Sequence, residues 1–163
     1  MTIEDGTYRF VASASRATVV ADAPGHKFRA TGDGLEGTAR VEGGQVVEAE
    51  ATFPLWHLDA GDMLSNREMK KFLDLPRRPS VRGKLAAPVA VEGGRGKGRV
   101  EVELQGRPTK PIDVTFDVKG MNVTLHLQAS FSAFGHKPPK LLFIKVKDDF
   151  DLTLDCQIQR ADA

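Results

Sequence analysis

"LQGRPTKPIDVTFDV", Leu104–Val118, joins a proline-rich turn to a strictly alternating segment. From Ile112 onward apolar and polar residues take strict turns, with Ile112, Val114, Phe116 and Val118 set against Asp113, Thr115, Asp117 and Lys119. An extended chain points successive side chains to opposite faces, so this alternation lays one face on a core and the other in water. Pro111 stands at the strand's start, where the ladder loses no donor it needs, and Gly106-Arg107-Pro108 reads as a turn. Before that turn Val100, Val102 and Leu104 alternate with Glu101 and Glu103. The stretch is therefore the second half of an antiparallel hairpin whose first half is Arg99–Leu104.

The same pattern recurs outward in both directions. Thr7–Phe10, Ala17–Ala21, Val81–Leu85, Val89–Glu92, Val123–Ala133 and Phe150–Ile158 are expected strands, and Leu35–Val41 with Val47–Phe53 form a hairpin about Glu42-Gly43-Gly44-Gln45. Many short antiparallel strands leave sheet edges that must be paired or covered, which predicts one sheet that closes or folds over. A single interruption has another period. In "SNREMKKFLDL", Ser65 and Glu68 make a capping box and Met69, Phe72 and Leu73 fall at helical spacing, so one short helix is expected over Ser65–Leu75, stopped by Pro76 and Pro79.

Composition bounds the function. The 163 residues fit one domain, spanning 1–163, that is large enough to bury a core without disulfides or metal, and the one cysteine excludes an internal disulfide. Lys plus Arg number 23 against 22 Asp plus Glu, so there is no global electrostatic case for nucleic acid. Basic groups at Lys70-Lys71, Arg77-Arg78 and Arg95–Arg99 stand among acidic ones and read as solvated surface. No segment has the roughly twenty apolar residues of a membrane span, and the N-terminus lacks a signal-peptide pattern, so no stable membrane insertion and a cytoplasmic location are expected.

Candidate chemical groups fail one after another. His26, His57, His126 and His136 share no metal-ligand spacing, and His126 falls on the polar row of its strand. Cys156 alternates with Leu154 and Ile158 and reads as a buried, inert thiol. "GGRGKG", Gly93–Gly98, lacks the Lys-Ser/Thr pair and following helix of a phosphate loop and reads as a flexible hairpin turn. No nucleophile, base and orienter assemble, so the expectation is a protein without catalytic residues, metal or resident cofactor. The inward rows carry a different signal: the first hairpin is expected to turn Gly37, Ala39 and Val41 with Val47, Ala49, Ala51 and Phe53 inward, and its small residues stand opposite large ones at Leu125, Leu127, Phe131, Leu152 and Leu154. Pattern alone leaves two readings, a filled jigsaw core or an apolar cavity, because a barrel of about eight strands is wide enough for either.

Several motifs share one order with a known family. Leu104, Gly106 and Thr109-Lys110-Pro111-Ile112 resemble the Leu-Thr-x-x-Gly-x-Thr-Lys-Pro-Val hairpin of the YceI-like, polyisoprenoid-binding, lipocalin-like proteins, with Pro108 as one extra turn residue. Gly6-Thr7-Tyr8 with Ser15, Leu58-Asp59-Ala60-Gly61 followed by Asn66, Met69, Phe72 and Pro79, Phe134-Gly135, and Val146–Ile158 resemble further segments in the family's order. Val11, Ala14, Phe131 and Ala133 stand where the family has polar landmarks, and Gly83 where an aromatic is common, so the chain resembles a divergent member. The resemblance implies an all-β fold, an extended eight-stranded antiparallel lipocalin-like barrel with one short helix. It implies a soluble binding or carrier protein, monomer or homodimer, whose interior holds a long-chain isoprenoid (quinone-like) or a fatty amphiphile. Val114, Phe116, Leu125, Leu127, Phe131, Leu152 and Leu154, with Met69 and Phe72 of the helix, are the expected lining. The rival expectation is a packed β-barrel interaction module acting through a surface such as Phe134–Val146, where Leu141-Leu142-Phe143-Ile144 follows two prolines.

Overall fold

The computed structural model describes residues 4–23, 26–61, 63, 66–67, 80–104, 107–108, 111–130, 140–141, 144–145 and 149–161. Its strands in chain order are β1 (Gly6–Phe10), β2 (Arg16–Ala23), β3 (His26–Gly32), β4 (Glu36–Glu42), β5 (Gln45–Pro54), β6 (Ser80–Leu85) and β7 (Val89–Ala90). They continue with β8 (Arg95–Leu104), β9 (Arg107–Pro108), β10 (Ile112–Lys119), β11 (Asn122–Ser130), β12 (Lys140–Leu141), β13 (Ile144–Lys145) and β14 (Asp149–Arg160). The pairing runs β1-β4-β5-β6-β8-β10-β11-β14 and returns to β1, an eight-stranded barrel. Its pairings are all antiparallel, as the alternation requires. Closure of this kind removes the unpaired edges that an open sheet would present.

The hairpin expected around Leu104–Val118 is the β8–β10 pair. Val114 and Phe116 are buried and Asp113, Thr115, Asp117 and Lys119 are exposed, as the alternation predicts. The register places Ile112 opposite Val100 and Asp117 opposite Arg95, so the connection is longer than a simple turn. Within it, β9 folds back on β8, with Arg107 opposite Leu104. "GGRGKG" is a turn only at its start. Gly93 and Gly94 take φ of 61° and 77°, conformations that glycine adopts without strain, and Arg95 already begins β8. The later glycines are strand residues because their neighbours occupy the space of a side chain. A Cβ on Gly96 would collide with the Phe116 ring, and one on Gly98 with Val89.

Strand β3 is an element beyond those expected, and it exists because of a kink. β1 and β2 both run along one edge of β14, β1 opposite Ile158–Arg160 and β2 opposite Phe150–Asp155. Between them a 3₁₀ turn, Ala12–Ala14, breaks the line. Ser15 secures it: its Oγ donates to the Ala12 carbonyl at 2.9 Å and accepts from the Leu35 amide at 3.0 Å. Below the kink β1 bonds to β4, and above it β2 bonds to β3. The far edge of β3 then meets the chain leaving β5. Thr31 and Asp59 exchange both backbone hydrogen bonds, at 3.0 and 2.7 Å.

A second irregularity lies in β5. The register shifts so that Ala49 faces Ala39 while Val46 faces Val41, a bulge that inserts one residue. Val46, not the expected Val47, therefore packs in the core. The expected helix over Ser65–Leu75 lies outside the described residues except for Asn66 and Arg67, which have helical backbone. No described helix is long and apolar enough to cross a membrane. β12 and β13, within the apolar run of the rival reading, pair with each other in a separate two-stranded sheet.

Candidate functional site

The register gathers most of the expected lining on one wall. Val114, Leu127 and Leu152 stand side by side across β10, β11 and β14, and Phe116, Leu125 and Leu154 form the adjacent row. Directly opposed residues in an antiparallel sheet share a face, so both rows point the same way. Packing against the core clusters identifies that face as the inside. Phe131, Met69 and Phe72 lie outside the described residues.

Toward one end of β1, β4, β11 and β14 the inner face is tightly packed. Tyr8, Val41, Val123 and Ile158 form a cluster in which Tyr8 is 2% and Val41 1% exposed. The Tyr8 hydroxyl donates to the Glu4 carbonyl at 2.7 Å, and the Arg160 guanidinium lies 5.5 Å from the ring centroid while donating to the Asp5 carbonyl at 2.8 Å. This aromatic plug satisfies its own polar tip.

Moving along β14 away from the plug, burial loosens. Ile158 and Cys156 are buried, but Leu154, Leu152 and Phe150 are only half-buried although they face inward. β11 repeats the change, from buried Val123 to half-buried Leu125 and Leu127, before Ala129 is buried again. Val81, Gly83 and Leu85 of β6, with Ala51 of β5 and Val100 of β8, are inward and half-buried too. Solvent-sized space beside inward apolar side chains is what a filled core lacks. Val114 and Phe116 differ from the leucines: at 2% and 8% exposure they are packed, Phe116 against Gly96, Val89 and Val91. Sequence reasoning placed Ala51 on an inward row but did not bring Val81, Gly83 and Val100 to the same face. The alternation of β6 and β8 carried the signal, but only the register reveals that these positions share a face with the leucines.

The described ion pairs lie on the outer face. Arg95 pairs with Asp117 at 3.1 Å and Arg99 with Asp113 at 3.2 Å, each across the β8–β10 ladder, and Arg82 pairs with Glu50. The basic run at Arg95–Arg99 is thus solvated surface, and such exposed pairs help set register more than stability. His126 is exposed, with Nδ1 3.3 Å from the Thr153 hydroxyl, and His57 Nδ1 lies 2.9 Å from the Asp33 carbonyl oxygen. Cys156 is a titratable group on the inner face, and burial, aided by the Asp155 charge, pushes its thiol from 9.0 to about 12. A thiol held protonated in this way is no nucleophile at neutral pH.

Comparison with known proteins places the architecture. No family profile matches the sequence, and no curated protein is similar to it. Among solved structures, the fold matches that of Burkholderia cenocepacia BcnA with a TM-score of 0.74 and 14% identity, over 92% of this chain and 99% of that one. It also matches a polyisoprenoid binding domain from Saccharophagus degradans implicated in plant cell wall breakdown, with a TM-score of 0.66 and 13% identity, over 94% of this chain and 98% of that one. The barrel that the resemblance implies is the barrel these chains share.

Proposed function

We propose that the chain is a binding protein that holds a long apolar chain, an isoprenoid (quinone-like) or a related amphipathic lipid, in the barrel interior. The observation that carries this reading is the band of half-buried inward side chains, Leu125, Leu127, Leu152 and Leu154, beyond the Tyr8 plug. A tail entering that band transfers each methylene from water at roughly 0.8 kcal/mol, and needs no precise polar contact to do so. The plug sets the depth to which the tail runs. The solved neighbour described as a polyisoprenoid binding domain supports the same class of ligand. The role in this reading is binding, in keeping with the neighbour named for polyisoprenoid binding and with the apolar groups and protonated thiol on the described inner face.

Mass spectrometry of an organic extract of the purified protein tests the proposal. The expected result is a stoichiometric lipid with a long hydrocarbon chain. Protein that carries no lipid and takes up none from detergent-free mixtures of isoprenoid and fatty alcohols would overturn it in favour of the packed interaction module.

A further inference from the structure

Glycines in the barrel wall differ in what their missing side chains leave behind. Beside Gly37 stands the backbone of Glu50 and Ala51, beside Gly96 the Phe116 ring, and beside Gly98 the Val89 side chain. Around a Cβ on Gly83 there is nothing within 4 Å. The other described glycines with equally open surroundings, Gly43, Gly44, Gly61, Gly93 and Gly120, have positive φ, whereas Gly83 lies within β6 and is not among the positive-φ residues. Its face is fixed by its neighbours. Val81 and Leu85, two residues to either side, pack on the inner clusters, and Ala51 and Val102, directly across the ladders, do the same. Arg82, next in the strand, points out to its ion pair with Glu50.

A Cβ at position 83 would thus point inward with no backbone strain and no atom within 4 Å. We infer that Gly83 sets the width of the lumen at this level and makes it selective for a chain that carries side branches over a straight one. This rests on the lumen reading above. A straight acyl chain fills a narrow bore, and beside it the bay at Gly83 stays unfilled. A chain with methyl branches places apolar groups in the bay and gains their transfer from water. Misfit by one or a few methyl groups in an apolar pocket changes affinity by about tenfold or more.

The test uses 3,7,11,15-tetramethylhexadecanol and hexadecanol, saturated alcohols with the same main-chain length that differ in methyl branching. Wild type is expected to bind the branched alcohol more tightly. Gly83→Leu should lower the branched-to-straight affinity ratio by about tenfold, and Gly83→Ala should lower it less. The melting temperature of Gly83→Leu should hold or rise, because the new side chain fills empty space. A ratio that Gly83→Leu leaves unmoved would overturn the assignment of Gly83 while leaving the lumen standing. A steep fall in that variant's melting temperature would overturn it as well, since the space would then be occupied. Wild type that binds neither alcohol would defeat the lumen reading, and with it this one.

Discussion

Cys156 shows how a single position in this barrel exchanges chemistry for packing. It is 4% exposed, it stands between Leu154 and Ile158 on the inner face of β14, and Val123 lies directly opposite. Its thiol titrates at 9.0 ordinarily and at about 12 here, chiefly because burial penalises the thiolate. The folded state therefore keeps a proton that the unfolded state loses. Stability contributed by the protonated thiol is fully present below pH 9 and declines as pH rises toward 12, by up to about 1.4 kcal/mol per pH unit. Cys156→Ala should flatten that part of the curve of denaturation midpoint against pH, and wild-type Cys156 should react with a thiol reagent only as fast as the protein unfolds. Prompt labelling of the folded protein would contradict the burial. Alternation alone located this residue. The same reasoning misjudged Gly96 and Gly98, because a glycine-rich run looks like a turn until Phe116 and Val89 are found in the space their side chains would fill.

At the level of elements, the seam between β3 and the chain leaving β5 depends on one carboxylate. Asp59 Oδ1 accepts from the Gly61 amide at 2.8 Å and from Asn66 Nδ2 at 2.9 Å, while Asn66 Oδ1 accepts from the Ala60 amide at 2.7 Å. This knot holds the Asp59 backbone where it bonds Thr31. The Asn66 and Gly61 donors lower the Asp59 carboxyl below 3.8. The ionised form is thus the one the fold favours, and its contribution is present above the ordinary carboxylate range and lost as pH falls through the lowered value. Asp59→Ala should speed hydrogen exchange at the Thr31 amide at neutral pH, and wild type should show the same acceleration only at strongly acidic pH. Equal protection of Thr31 in both proteins would show that the knot does not secure the seam. Asp59, Gly61 and Asn66 were visible in the sequence as a family-like motif, but not the reason for them. The reason is a contact with β3, and β3 itself was overlooked although Lys27, Arg29 and Thr31 alternate with Phe28 and Ala30, because alternation over so short a run does not reveal that β2 pairs with it beyond the 3₁₀ turn at Ala12–Ala14. The eight barrel strands were legible because each one alternates. The bulge that turns Val46 rather than Val47 inward was not, since it arises from the register between two strands.

Across the whole molecule, a filled core and a lumen predict opposite couplings between stability and binding. The barrel is tight around Tyr8, Val41, Val123 and Ile158 and loose around Leu125, Leu127, Leu152 and Leu154. Alternation in the sequence could not separate these regions, because a packed leucine and a lumen leucine obey the same period. Leu127→Asn separates them. Leu127 is inward, half-buried, and flanked across the ladders by Val114 and Leu152. In a filled core the new amide would be buried without partners, which costs about 1 to 3 kcal/mol beyond the lost packing. Beside solvent-sized space the amide stays hydrated when the lumen is empty, so the barrel keeps most of its stability. An apolar tail, however, must strip that water away and offers no hydrogen bond in return. The expected outcome is a melting temperature close to wild type together with a large loss of bound lipid, measured as lipid per protein and as geranylgeraniol uptake. A steep fall in melting temperature, with no lipid on either protein, would show instead that Leu127 belongs to a packed core.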